Sequence, residues 1–445
     1  MRTRAAKPNA NGGVSMRRNW LVCLAVMLGV GLLMSGNSVP VQAANPIILG
    51  VPTSMYTPFG RGCVKAVELA VDEINKAGGV KVGKEKRPFK VVVSDTRGGE
   101  PGTPVHDALM AYEKLITGQK PQAIVVGAFR SEVLIASMDL VAKYKVPQLG
   151  TIAQTPSFQK KFAENPKKYK YLFRVTTDAL TPATYIAAAL DMLKKQFKLN
   201  KVLFVYQDTL WAKAFAGLIK RHCKKTGWAE VGFEAYAAGA NDFSPALTKA
   251  KEDKAQVIAM VWDVPMGAGI FAKQYKAMKV PALVVGFVPP MGAATAVKTL
   301  GPGVEYSITV EFPVGSSLPL KKLPKTGEFL KKYLKKFGEP PEAPAVNSSA
   351  YDAVYILKNA IERANSLDPD KLVAALEKTN YDGVSGHLKF NDKHIVVFGH
   401  KNPKETGVSV VFQWQKGPDG KLKRVPVYPA FLAEGKIKLP PWMKK

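Results

Sequence analysis

The chain has 445 residues, 47% of them hydrophobic, and a net charge of +29. Its length exceeds the usual reach of one hydrophobic core and predicts two lobes, while three cysteines are too few for a disulfide framework. The lysines are scattered in pairs such as Lys160-Lys161 and Lys335-Lys336, with no basic tail and no interleaved aromatic motif. The charge therefore reads as a solvated basic surface, and nucleic acid is not expected as a partner.

At the N-terminus, Arg17 and Arg18 precede an apolar stretch at 20–34 and the small-residue site Val41-Gln42-Ala43. That is the n-region, h-region and cleavage point of an export signal. The stretch is too short and too rich in glycine for a comfortable membrane span. Residues 1–43 are expected to be removed near Ala43, with either Met1 or Met16 as the start. The segment carries five basic and no acidic residues, so the charge falls from +29 to +24. Cys23 leaves with the signal, and Cys63 and Cys223 are expected as unpaired, partly buried thiols.

Residues 64–80 follow, VKAVELAVDEINKAGGV. Val67, Ala70, Val71, Ile74 and Ala77 share one apolar helix face, Glu68, Asp72, Glu73 and Lys76 take the wet side, and Gly78-Gly79 stop the helix. Short β-branched runs at 47–51 and 89–93 flank it, and a strand–helix–strand unit requires a parallel sheet. Strand patterns continue at 123–126, 148–149, 171–174, 201–206, 229–235, 257–261 and 282–285. Helical patterns separate them at 104–116, 132–144, 182–197, 211–226, 243–251 and 270–278. This alternation predicts doubly wound α/β architecture. Beyond a strand at 307–311 the pattern shifts to helices at 326–337, 348–364 and 370–378, with Asp368 as the cap of the last. Asn347-Ser348-Ser349 is read as the cap of its helix in preference to a glycosylation acceptor. Strands at 388–391, 408–415 and 425–428 close the chain.

No phosphate loop, dinucleotide fingerprint, zinc-helix motif or nucleophile elbow is present. The five histidines show no metal-ligand spacing, so no metal, cofactor or catalytic residue is expected.

Several segments, in order, carry a family resemblance: Ile48-Leu49-Gly50-Val51 with Pro58-Phe59-Gly60, ELAVDEINKAGGV at 68–80, and Val93-Ser94-Asp95. IVVGAFRS at 124–131, Phe173-Arg174 followed by Asp178, and NDFSPA at 241–246 continue it, with SAYDAV at 349–354, GVSGHLKF at 383–390 and VFQW at 411–414. The chain resembles the type I periplasmic solute-binding proteins of branched-chain amino acid ABC uptake systems. The resemblance implies two doubly wound parallel-sheet lobes joined by three crossover segments, with the ligand cleft between them. The N-terminal lobe would take residues 46–175 and 308–395, and the C-terminal lobe 176–305 and 396–445, including a C-terminal extension. It implies a periplasmic, monomeric, non-enzymatic protein that closes on a small carboxylated solute and presents it to a membrane permease. The solute would be a branched-chain or other amino acid, or an aromatic or aliphatic acid or amide. The alternative is a sensing or regulatory protein of the same fold.

In the family, loops after the third and fourth strands hold the ligand carboxylate. Ser131 and Thr155 are then the hydroxyl donors, with Ala153 and Gln154 beside them; Ser131 otherwise only caps the helix behind it. Phe129 and Arg130 share the first loop, where Arg130 either grips a carboxylate or points to solvent. Asp178 resembles the partner of a ligand ammonium, or else caps the next helix. Trp211 is either a stacking wall or core. Tyr56 and Phe59 in the first lobe, and Trp262, Asp263 and Phe287 in the second, end strands at the cleft side and complete an aromatic-rich site.

Overall fold

Two sheets with one strand order carry the molecule. The computed structural model describes residues 45–100 and 102–443; the export signal expected over 1–43, its expected cleavage point and Cys23 lie outside the described residues. The first sheet holds β1 (Ile47–Thr53), β2 (Phe89–Asp95), β3 (Ala123–Val126), β4 (Gln148–Gly150) and β5 (Leu172–Arg174) in the order 2-1-3-4-5, all parallel. In the second, β6 (Lys201–Gln207), β7 (Ala229–Tyr236), β8 (Val257–Val261), β9 (Leu283–Phe287) and β10 (Ile308–Glu311) repeat that order as 7-6-8-9-10. Antiparallel β11 (Val410–Lys416) and β12 (Leu422–Tyr428) extend it beyond β10. The central strands are buried throughout, as parallel strands covered on both faces must be.

The helices are α1 (Pro58–Lys76), α2 (Val105–Gln119), α3 (Ser131–Tyr144), α4 (Ser157–Glu164), α5 (Leu180–Phe197) and α6 (Leu210–Lys225). After them come α7 (Ser244–Glu252), α8 (Pro265–Ala277), α9 (Pro324–Phe337), α10 (Asn347–Ala364) and α11 (Pro369–Glu377). In α1, Val67, Ala70, Val71 and Ile74 are buried as the stripe requires, while Ala77 is its exposed C-cap. The stop is enforced at Gly79, where φ is +84° and a Cβ would lie 2.6 Å from the Arg87 carbonyl oxygen. Helix α10 lies along α1, and Glu73 of α1 accepts hydrogen bonds from the hydroxyls of Tyr351 and Tyr355.

Three segments cross between the lobes: the stretch between β5 and α5, the stretch after β10, and the stretch before β11. The third lies against the first, with the Arg174 N–H donating to the His394 carbonyl at 2.8 Å and the Val396 N–H to the Arg174 carbonyl at 3.0 Å. One sequence boundary shifts. Ile308–Glu311 is still a strand of the second sheet, paired with β9 and β11, so the chain leaves that lobe at Phe312 and not at 308. Strand pairing, which a local pattern does not encode, makes the difference.

Asp368 caps α11, accepting from the Lys371 N–H at 2.9 Å. Asn347 does not cap α10: its amide donates to the Ala343 carbonyl at 2.7 Å, and it is fully buried. Cys63 and Cys223 are free and buried more deeply than expected, and burial pushes both thiols up to about 12. Among the described residues no helix is long and apolar enough to cross a membrane, and no cluster of three metal-ligating side chains occurs.

Candidate functional site

In open α/β sheets the carboxyl ends of strands at the change of order are where ligands gather. Here the carboxyl ends of β1, β3 and β4 face those of β6, β8 and β9 across a chamber of about 60 Å³.

From the first lobe, Thr57 accepts from the Gly60 N–H at 3.1 Å and Pro58 opens α1, which sets Phe59 on the chamber wall. Only glycine fits at position 60, because a Cβ would sit 1.9 Å from the Ser54 carbonyl oxygen. At the end of β3, Val126 turns the chain with φ of +72°, a conformation that costs a β-branched residue about 1–3 kcal/mol. That turn carries Phe129 to 5.9 Å from Phe59, ring to ring, and leads into Ser131. Ser131 is 4% exposed, lines the chamber and makes no capping bond; its hydroxyl has no partner among the described residues. Beyond β4, Ile152, Ala153 and Gln154 form the floor. Their three backbone N–H groups are likewise unbonded among the described residues.

From the second lobe, Phe287 ends β9 and is buried between Phe312 at 4.6 Å and Trp211 at 5.7 Å. Trp211 stands edge-on to it as a wall of the chamber. Asp263 follows β8, and its backbone N–H donates to Gln207 at 3.2 Å. Its carboxyl forms no ion pair among the described residues, and burial pushes it up to about 6.

The structure thus brings together Phe59, Phe129, Ser131, Ala153, Gln154, Trp211, Asp263 and Phe287. Five other candidates are elsewhere. Tyr56 is 57% exposed outside the chamber. Arg130 turns away to donate to the Thr103 carbonyl at 2.7 Å. Thr155 spends its hydroxyl on the Ser157 N–H and its carbonyl on Arg174, at 3.2 and 2.9 Å. Asp178 accepts from the Leu180 and Thr181 N–H groups and from Gln159, so its carboxylate is committed to the start of α5. Trp262 is fully buried in the second-lobe core, its indole donating to the Val264 carbonyl at 2.9 Å.

Ile152, Phe312 and Val346 line the chamber and were not read from the sequence. Ile152 sits inside a loop that the resemblance does single out. Phe312 belongs to a crossing segment and Val346 to the turn before α10, its N–H donating to the Phe312 carbonyl at 3.3 Å; Val346 takes φ of +63°, which no local signal in a valine announces.

The chamber therefore has five aromatic walls, one hydroxyl, the unbonded N–H groups of residues 152–154, an amide and one carboxyl. Among the described residues no Lys, Arg or His lines it. Unbonded N–H groups in a concave loop favour an oxygen-bearing or anionic group, and aromatic faces favour a ring or branched apolar body. The array is suited to holding a solute.

The family model of the periplasmic binding proteins matches residues 48–401. A Leu/Ile/Val-binding protein homolog of Brucella melitensis is 26% identical over 382 residues, spanning 85% of this chain and 92% of that relative. An ABC transporter substrate-binding protein from Sphaerobacter thermophilus superposes with a TM-score of 0.69 at 17% identity, over 86% of this chain and 97% of that one. A solute-binding protein of an ABC transporter from R. palustris, in complex with benzoate, does so with 0.67 at 18% identity, over 87% and 98%. At these identities the two structures speak for the shared fold, and the match along most of the length speaks for descent: the chain belongs to the periplasmic binding protein family.

Proposed function

We propose that the chain is the solute-binding component of an ABC uptake system, and that it captures a small carboxylated solute with an aromatic or branched apolar body between its lobes. The observation that carries this is the set of unbonded donors, Ser131 and the N–H groups of residues 152–154, set in an otherwise aromatic chamber. The donors take the oxygens of the solute, while Phe59, Phe129, Trp211 and Phe287 enclose its body. Relatives named for leucine, isoleucine and valine, and one bound to benzoate, support both halves of that class. The chain would work outside the cytoplasm after cleavage near Ala43, as a monomer that hands its solute to a membrane permease without chemistry of its own.

The test is calorimetry and thermal unfolding with leucine, isoleucine, valine, phenylalanine and benzoate. A solute at a hundred times its Kd raises stability by about 2.7 kcal/mol. At least one is expected to bind, and Ser131→Ala to weaken it by about tenfold, the worth of one hydrogen bond to a charged group. Binding that survives both Ser131→Ala and Phe129→Ala unchanged overturns the assignment of the chamber.

A further inference from the structure

A second cavity, of about 700 Å³, adjoins the chamber and shares two of its walls, Phe59 and Asp263. Both lobes line it: Pro58, Glu342 and Pro344 from the first, Met266, Gly269 and Pro290 from the second. The inner chamber, at about 60 Å³, has room for only a few water-sized groups, each needing roughly 10–15 Å³. It takes a head group, and whatever follows the head must pass Asp263.

Asp263 stands at that junction without a cationic partner, so a solute passing it is favoured when it presents a hydrogen-bond donor there. The outer walls are stiff, because six prolines line them (Pro58, Pro265, Pro289, Pro290, Pro340 and Pro344) and a proline has no free φ to lose on binding. Their charges are unevenly used. Glu339 is paired with Lys65 at 2.5 Å and Glu342 with Arg61 at 2.5 Å. Lys273 and Lys298, on the opposite wall, form no ion pair among the described residues. What remains for a solute beyond Asp263 is positive.

We propose that the solute is an extended, two-part molecule: an apolar head in the inner chamber, an N–H or hydroxyl donor against Asp263, and an acceptor-bearing tail in the outer cavity toward Lys273 and Lys298. Acylated amino acids and short peptides have this form. The inference rests on the reading of the inner chamber as the solute site; the oxygen that Ser131 and the loop N–H groups take is then an acyl carbonyl or a carboxylate of the head.

Calorimetry of the full-length protein with two matched pairs tests it: benzoate against benzoylglycine, and phenylalanine against phenylalanyl-leucine. The longer member of at least one pair is expected to bind about tenfold tighter or better. Gly269→Phe places a ring in the outer cavity, since a Cβ there meets only Leu300, at 3.4 Å. It should abolish the gain while leaving the short partner within about twofold. Should Gly269→Phe fail to fold, the double variant Lys273→Ala/Lys298→Ala provides the second reading and should cut the gain several-fold. Short solutes that bind with no gain from extension, or a gain that survives these variants, overturn the proposal alone. If none of the four binds, the proposal falls together with the reading of the inner chamber on which it rests.

Discussion

The two lobes share a strand order, and each sets two aromatic rings on the chamber, but they differ in the polar groups they present there. The first presents small donors on short loops: Ser131 and the N–H groups of residues 152–154. The second presents two aromatic walls, Trp211 and Phe287, and a carboxyl, Asp263. Their outer strands are protected differently as well. Beyond β10 the second sheet gains β11 and β12, whereas β5 of the first is met only by an isolated bridge from Arg174 to Ile395. Repetition of the order therefore fixes where a solute lies, at facing strand ends, and the loops decide which chemistry meets it.

The contrast between packing and contact gives the largest expected effect. Trp262 and Phe129 are both large aromatics close to strand ends, yet Trp262 is fully buried in the second-lobe core while Phe129 lines the chamber. Trp262→Ala should cost about 3–5 kcal/mol in urea unfolding and leave the affinity of the folded protein within about twofold. Phe129→Ala should cost less stability and weaken binding by about tenfold or more. Equal losses of affinity in the two variants would erase the distinction between the lobe's core and its binding face.

The two raised carboxyls sharpen the comparison through pH. Asp352, fully buried on α10 against the Val384 N–H, is pushed up to about 7 by burial; Asp263, in the chamber, to about 6. Each native pKa lies above the unfolded one, so the native state binds more protons in between. Stability contributed by each group is whole below about pH 4 and falls as pH rises, to about 7 for Asp352 and about 6 for Asp263. Relative to wild type, Asp352→Asn should gain on the order of 2–4 kcal/mol between pH 4 and 8, read from the change in the difference and not from its absolute value. Asp263→Asn should gain less, and only its gain should respond to a bound solute. A solute-sensitive Asp352 profile would move the binding chemistry away from the chamber.

How much of this was legible follows from what local pattern encodes. The stripe at Val67, Ala70, Val71 and Ile74, the Gly78-Gly79 stop and the Asp368 cap are local, and the structure carries each of them. The position of Ser131 and Ala153-Gln154 on loops at strand ends, where they line the chamber, was legible through family resemblance and strand position. Arg130, Thr155 and Asp178 were not, because each is chemically fit for a ligand and is instead taken up by a neighbouring backbone group. Such competition is settled by tertiary geometry. Val346 was out of reach for another reason: a valine at positive φ contradicts its own propensity, and the Phe312 carbonyl that accepts from its N–H is 34 residues away in sequence.

Asp178 gives the smallest effect and probes that competition between ligand and backbone most directly. Resemblance assigned it to a solute ammonium, and the structure gives one oxygen to the Leu180 and Thr181 N–H groups, at 3.0 and 3.1 Å, and the other to Gln159 at 2.7 Å. Asp178→Ala should therefore behave as the loss of a helix cap, costing about 1 kcal/mol. Its effect on affinity should stay within about twofold, because both oxygens already accept hydrogen bonds within the protein. Asp178→Ser should recover part of the stability, since a serine hydroxyl also caps. A tenfold loss of affinity in Asp178→Ala that Asp178→Ser does not repair would mean that the carboxylate leaves its cap when the lobes close, and the segment crossing between β5 and α5 would then bring a second acid to the solute.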